Sequence, residues 1–301
     1  MPGLRSIAAV IGEAQHLVDA AWLAGAREAV VVADCRWYLD GRSGRDAFLS
    51  GHIPGAAWID IDADLAAAPS AEEGRHPLPA PGDFAAAMGR AGIGDDARVV
   101  AYDDAGGSIA ARLWWMLRSL GVRAAVLDGG IGAWDGPLET GPARPRPARF
   151  TPRPWPAGRF VTTDDVDPGR RRAGALLVDA RTAARFRGED TSIDPRPGHI
   201  PGAVNVPWPE NLDPATGRMR PAADLRARYA AVGAADAGSV IASCGSGVTA
   251  CHDLLAMALA GIGPLALYPG SWSAWSSDPA RPAALGAQYP PVAAHGTAEQ
   301  A

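Results

Sequence analysis

Short apolar runs that end in polar or small residues alternate along the chain with segments whose apolar positions recur at helical spacing. Residues 14–24 predict a first helix, and Val30 to Asp34 a buried strand ending in an acid. Asp46 to Ser50 reads as helix, followed by a Gly51-His52-Ile53-Pro54-Gly55-Ala56 loop. Residues 66–82, rich in Ala, Pro, Glu and Gly, predict a long surface loop. Phe84 to Ala91 is helical in pattern, Val99 to Asp103 a strand, Ile109 to Leu120 a helix and Ala125 to Asp128 a strand. Trp114 and Trp115 are candidate core.

From 136 to 160 the pattern breaks. Seven prolines alternate with Arg144, Arg146, Arg149 and Arg153, which predicts a stiff, solvated connector rather than an anion-binding patch. The pattern then repeats. Leu176 to Arg181 answers Val30 to Arg36, and Gly198-His199-Ile200-Pro201-Gly202-Ala203 matches Gly51 to Ala56 residue for residue. Val240 to Cys244 answers Val99 to Asp103, and Pro269 to Trp275 answers Asp128 to Trp134. The chain is therefore expected to be two copies of one α/β unit, each a mainly parallel sheet with helices on both faces. The expected divisions are 1–135, the connector 136–160, 161–285, and a flexible tail over 286–301.

One stretch concentrates the chemistry. Val240-Ile241-Ala242 reads as a strand ending at Cys244, Gly245-Ser246-Gly247 as a tight loop, and Val248 onward as a helix stopped by Gly261 and Gly263. The first N–H groups of a helix have no intrahelical partner, and the helix dipole puts partial positive charge there. A cysteine in that place is favoured as thiolate, the nucleophilic form. Asp103 takes the same place in the first copy and cannot carry sulfur, so only the second copy is expected to be catalytic.

Composition narrows the setting. The chain has 301 residues, 48% hydrophobic and 20% charged, an ordinary globular balance with room for two domains. A net charge of -5 argues against a nucleic-acid partner and leaves any small anionic substrate to local arginines. Cys35, Cys244 and Cys251 imply no disulfide framework and no metal site, and fit a reducing, cytoplasmic setting. No run is long enough to span a membrane, and Ile7 to Ile11 is too short for a leader.

The duplicated Gly-His-Ile-Pro-Gly-Ala, the Asp179-Ala180-Arg181 strand end and the Cys244-Gly-Ser-Gly-Val-Thr-Ala250 loop resemble the two-domain rhodanese-like sulfurtransferases, from about residue 14 to residue 276. The loop is similar to the 3-mercaptopyruvate branch; thiosulfate enzymes of the family usually carry basic residues where Gly245 and Ser246 stand. The resemblance implies a cofactor-free ping-pong transfer through a Cys244 persulfide, with release of pyruvate. It implies a thiol acceptor, such as thioredoxin or a low-molecular-weight thiol, or cyanide in an assay. By position, Ser246, His76 and Asp62 resemble the family's proton relay, and Arg185 the arginine that grips the donor carboxylate. Gly245, Gly247, Val248 and Thr249 would line the donor and persulfide. The place of a second family arginine holds Ser192, which leaves Arg196 as the nearest substitute.

Other readings weigh less. His52 and His199 recur in both copies and are expected to hold loops, and Cys35 and Cys251 are expected in the core. Trp272 and Trp275 are expected near the site mouth. A cysteine phosphatase needs an arginine where Ala250 stands. A non-catalytic module on the same fold and a thiosulfate-specific enzyme remain as alternatives.

Overall fold

A computed structural model describes residues 11–287 except 13 and 195. The first copy builds a five-stranded parallel sheet in the order β1-β5-β4-β2-β3, from Leu17–Val18 (β1), Val31–Asp34 (β2), Ala57–Trp58 (β3), Arg98–Tyr102 (β4) and Arg123–Leu127 (β5). Helices Ala20–Ala26 (α1), Gly44–Ser50 (α2), Pro81–Arg90 (α3) and Ala110–Ser119 (α4) cover it. After a short helix, Thr163–Val166 (α5), the second copy repeats the order β3-β2-β4-β5 as β7-β6-β8-β9. These are Ala175–Asp179 (β6), Ala203–Asn205 (β7), Ser239–Ser243 (β8) and Leu265–Leu267 (β9). Its helices are Ala183–Arg187 (α6), Ala222–Ala230 (α7), Ala250–Leu259 (α8) and Ser271–Trp275 (α9). The duplicated parallel α/β architecture is as the pattern predicts. Among the described residues, no helix is long and apolar enough to cross a membrane.

Three local expectations change. The first helix begins at Ala20, not residue 14, because Leu17 and Val18 pair with Val126 and Leu127, and Asp19 then caps the helix by accepting from the Trp22 N–H. The connector is exposed along much of its length, Arg144, Arg146 and Arg149 included, but its later part is pinned: Arg153 binds Asp95 at 2.6 Å, Trp155 Nε1 donates to the Pro79 carbonyl, and Phe150 is buried. Trp272 stands beside the cysteine loop, its backbone N–H donating to the Cys244 carbonyl, but it and Trp275 are buried core rather than at an open mouth, with indole N–H groups spent on the Arg196 and Pro282 carbonyls. The expected tail lies outside the described residues from Gln288 onward.

The recurring motif is structural in both copies. Asp34 pairs with Arg36, which donates to the Gly51 carbonyl, and Asp179 pairs with Arg181, which donates to the Gly198 carbonyl. His52 stacks on Phe48 and His199 on Phe186, each ring also bonded through Nδ1 to that phenylalanine's carbonyl.

The copies meet through α4 and α8, and one apolar core runs through both. Polar contacts cross in a near-symmetrical exchange. Arg112 on α4 donates to the Gly247 carbonyl of the second copy, and His252 on α8 reaches the Gly106 carbonyl of the first.

Candidate active site

Strand β8 carries Cys244 to the carboxyl end of its sheet, where sites form in parallel α/β folds. The loop that follows folds tightly because Gly247 adopts φ +74, with the Pro269 carbonyl oxygen 2.6 Å from where a Cβ would stand. Its N–H donates to Cys244 Sγ at 3.1 Å. Ser271 holds the cysteine backbone, accepting from its N–H at 3.0 Å, and does so from an unusual φ of 50. The thiol is buried, 2% exposed.

Two expected residues, His76 and Asp62, close around this loop from across the domain boundary. His76 Nδ1 lies 2.8 Å from Ser246 Oγ, and its Nε2 lies 2.9 Å from Asp62 Oδ1. Trp37 Nε1 donates to the other Asp62 oxygen. A carboxylate accepts at Nε2, so that nitrogen bears the proton and Nδ1 accepts from the Ser246 hydroxyl. Burial, reinforced by the Arg112 charge, pulls the His76 pKa down to about 4, against the pull of Asp62. The ring is therefore neutral near pH 7. The expected 66–82 loop ends at residue 80, ahead of α3, and it folds inward at His76 rather than lying wholly on the surface.

Arginines set the charge. Arg185 on α6 makes a two-pronged pair with Asp194, and Arg181 binds the same carboxylate at 3.2 Å. The Nη2 tip of Arg185 lies 2.7 Å from where a Cβ on Gly245 would stand. Arg196 does not join it. Its guanidinium is held by the Asp278 and Arg281 carbonyls at the C-terminal edge of the second copy, so the expected second donor arginine is corrected. A residue the sequence reading passed over stands near Arg185 instead: Arg75 Nη2 lies 2.8 Å from the same Gly245 position. Its neighbour His76 was the only signal in the sequence. Arg112 and Asp194 were also missed, since nothing local marks a buried arginine on an apolar helix as a partner of a loop in another domain. Val248 and Thr249 form the rest of the loop, Val248 buried and Thr249 at the start of α8. Cys251 is core, its thiol pushed well up by burial.

The first copy's loop supplies a comparison within the chain. Asp103 Oδ1 accepts from the Ala105 and Gly107 N–H groups, and Oδ2 from those of Ile109 and Ala110, all at 2.8–2.9 Å. The fold at this loop is an anion cradle in fact, and the first copy fills its own.

The Rhodanese-like domain model matches residues 19–136 and 162–278. The chain belongs to the rhodanese-like family. Within it, a Pseudomonas aeruginosa protein provisionally named 3-mercaptopyruvate sulfurtransferase is 42% identical over 85% of this chain and 93% of its own. A Mycobacterium tuberculosis protein provisionally named thiosulfate sulfurtransferase is 40% identical over 90% of this chain and 98% of its own. The solved 3-mercaptopyruvate sulfurtransferase of Leishmania major superposes with a TM-score of 0.79 at 32% identity, covering 87% of this chain and 74% of that one.

Proposed function

We propose that this rhodanese-like chain moves sulfur from 3-mercaptopyruvate to a thiol acceptor through a persulfide on Cys244. The observation that carries the reading is the Asp62–His76–Ser246 chain of hydrogen bonds delivered to the cysteine loop by the other copy. The Cys244 thiolate attacks the donor sulfur, the carbon–sulfur bond breaks, and its electron pair leaves on pyruvate as an enolate. That carbanion equivalent needs a proton. Ser246 Oγ takes the proton of the donor S–H while passing its own to neutral His76 Nδ1, and the reverse transfer protonates the enolate carbon. Asp62 stabilises the imidazolium that forms between the two transfers. The products are pyruvate and the Cys244 persulfide anion, and an acceptor thiolate then takes the outer sulfur.

A second reading has support of its own. Gly245 and Ser246 are neutral, which argues against a dianionic donor, yet the tips of Arg75 and Arg185 stand over Gly245. The positive charge that a thiosulfate loop carries locally is here brought in by tertiary structure. Thiosulfate is thus the competing donor.

Purified protein treated with 3-mercaptopyruvate is expected to gain the mass of one sulfur atom and release pyruvate, and Cys244→Ser to do neither. No adduct with either donor would sink sulfur transfer altogether. A kcat/KM ratio favouring thiosulfate would reverse the choice of donor.

A further inference from the structure

We infer that Trp37 is a positioning residue for the proton relay: its indole N–H holds the Asp62 carboxylate in the orientation that fixes the His76 tautomer. The inference rests on the sulfurtransferase reading and adds a fourth member to the relay, one that acts through Asp62.

Asp62 needs such a partner. Its side chain is 61% exposed, whereas the His76 side chain it serves is 7% exposed. The terminal torsion of an aspartate is broad, so a single bond to His76 leaves the carboxylate free to turn toward water. Among the described residues, two side chains hold it, one at each oxygen. His76 Nε2 lies 2.9 Å from Oδ1, and Trp37 Nε1 donates to Oδ2 at 2.8 Å. An indole N–H donates, never accepts, and carries no charge. It therefore occupies Oδ2 without neutralising the carboxylate, and leaves Oδ1 turned to the His76 N–H. The same indole packs at nearly a right angle to the imidazole, with ring centroids 5.5 Å apart and planes at 82°. Trp37 thus touches both Asp62 and His76.

Trp37 is itself placed by the strand end. Asp34 and Arg36 pair at the end of β2, Arg36 is tied to the Gly51 carbonyl, and Trp37 is the next residue. Its ring packs against the apolar core. The second copy builds the same strand end from Asp179 and Arg181, and there the next residue is Thr182. The strand end therefore does not require a tryptophan at this place. Of the two copies, the one with the tryptophan is the one that delivers Asp62 and His76 to the cysteine loop.

The test is Trp37→Phe, which keeps an aromatic ring and deletes the N–H. With 3-mercaptopyruvate, kcat is expected to fall about tenfold, the effect of one lost hydrogen bond to a charged group, with KM within twofold of wild type. Thiosulfate turnover, which needs no enolate protonation, should stay within twofold. Asp62→Ala should lower kcat with 3-mercaptopyruvate at least as much. Trp37→Phe should add nothing in the Asp62→Ala background, because the two side chains act as one unit. Losses that multiply, equal losses with both donors, or kcat within twofold of wild type in Trp37→Phe overturn the assignment; the last means that water holds Oδ2 equally well. Nitrogen-15 NMR of histidine-labelled protein at neutral pH reads the same contact without turnover, with His76 assigned by His76→Gln. Wild type should show His76 as the Nε2–H tautomer, and Trp37→Phe a mixture of tautomers; an unchanged tautomer refutes the positioning role. An inactive wild type would thus sink the reading of function while the tautomer still decides on Trp37. If Trp37→Phe does not fold, Trp37→Leu decides by the same two readings.

Discussion

The Arg112 guanidinium donates to the Gly247 carbonyl across 3.0 Å, so the first copy's helix holds the peptide next to the one whose N–H holds the Cys244 sulfur. The same side chain also donates to the Leu65, His76 and Pro77 carbonyls. It is fully buried, and among the described residues those carbonyl dipoles are its only hydrogen-bond partners. Arg112→Met should cost about 2–4 kcal/mol by leaving several buried carbonyls unpaired. Urea unfolding measures it. A loss below about 0.5 kcal/mol would mean that water replaces the guanidinium at no cost.

Ser246→Ala separates proton transfer from loop architecture. Cleavage of 3-mercaptopyruvate leaves an enolate that must be protonated on carbon, whereas thiosulfate leaves sulfite, a stable anion. The substitution is expected to lower kcat with 3-mercaptopyruvate by about a hundredfold and to change thiosulfate turnover only slightly. Equal losses with both donors would assign Ser246 to holding the loop.

The acid limb should report His76. Its pKa is depressed from 6.5 to about 4 by burial and by Arg112, with Arg75 adding to the effect and Asp62 opposing it. The neutral ring that the relay needs therefore persists as pH falls below 6.5, and is lost only on passing through about 4. Thiolate protonation affects both donors and cancels in a ratio. The ratio of kcat/KM for 3-mercaptopyruvate over thiosulfate should stay level from pH 7 to about 5 and fall below that. A break near 6.5 would show a solvated His76.

Two glycines in one loop should fail in different ways. A Cβ on Gly247 meets the Pro269 backbone at 2.6 Å from a φ of +74, so Gly247→Ala is expected to cost several kcal/mol, roughly 2–4. A Cβ on Gly245 meets only the ends of two flexible arginines. Gly245→Ala should fold with a melting temperature near wild type and show a raised KM for the donor. Thermal melts and steady-state kinetics on the pair distinguish steric strain from displaced charge.

Much of this was legible in the residues because it is local or repeated. Strand, glycine loop and helix around Cys244 follow from neighbours in sequence, and the twin at Asp103 follows from the internal repeat. Asp62 and His76 were reachable only through the family resemblance, since their meeting with Ser246 is made by packing α4 on α8. Arg75 and Arg196 mark the limit. Distance along the chain favoured Arg196, but the Arg281 carbonyl holds its guanidinium, while a loop in the other copy brings in Arg75.

Asp103 has a consequence beyond its own loop. From Cα outward its side chain runs carbon, carbon, oxygen; a cysteine that has accepted sulfur runs carbon, sulfur, sulfur. Both place a negative atom three bonds from the backbone. The four N–H groups around Asp103 therefore portray the persulfide proposed for Cys244, in the copy that has no cysteine at that place. The first copy is a resident analogue of the covalent state proposed for its sibling.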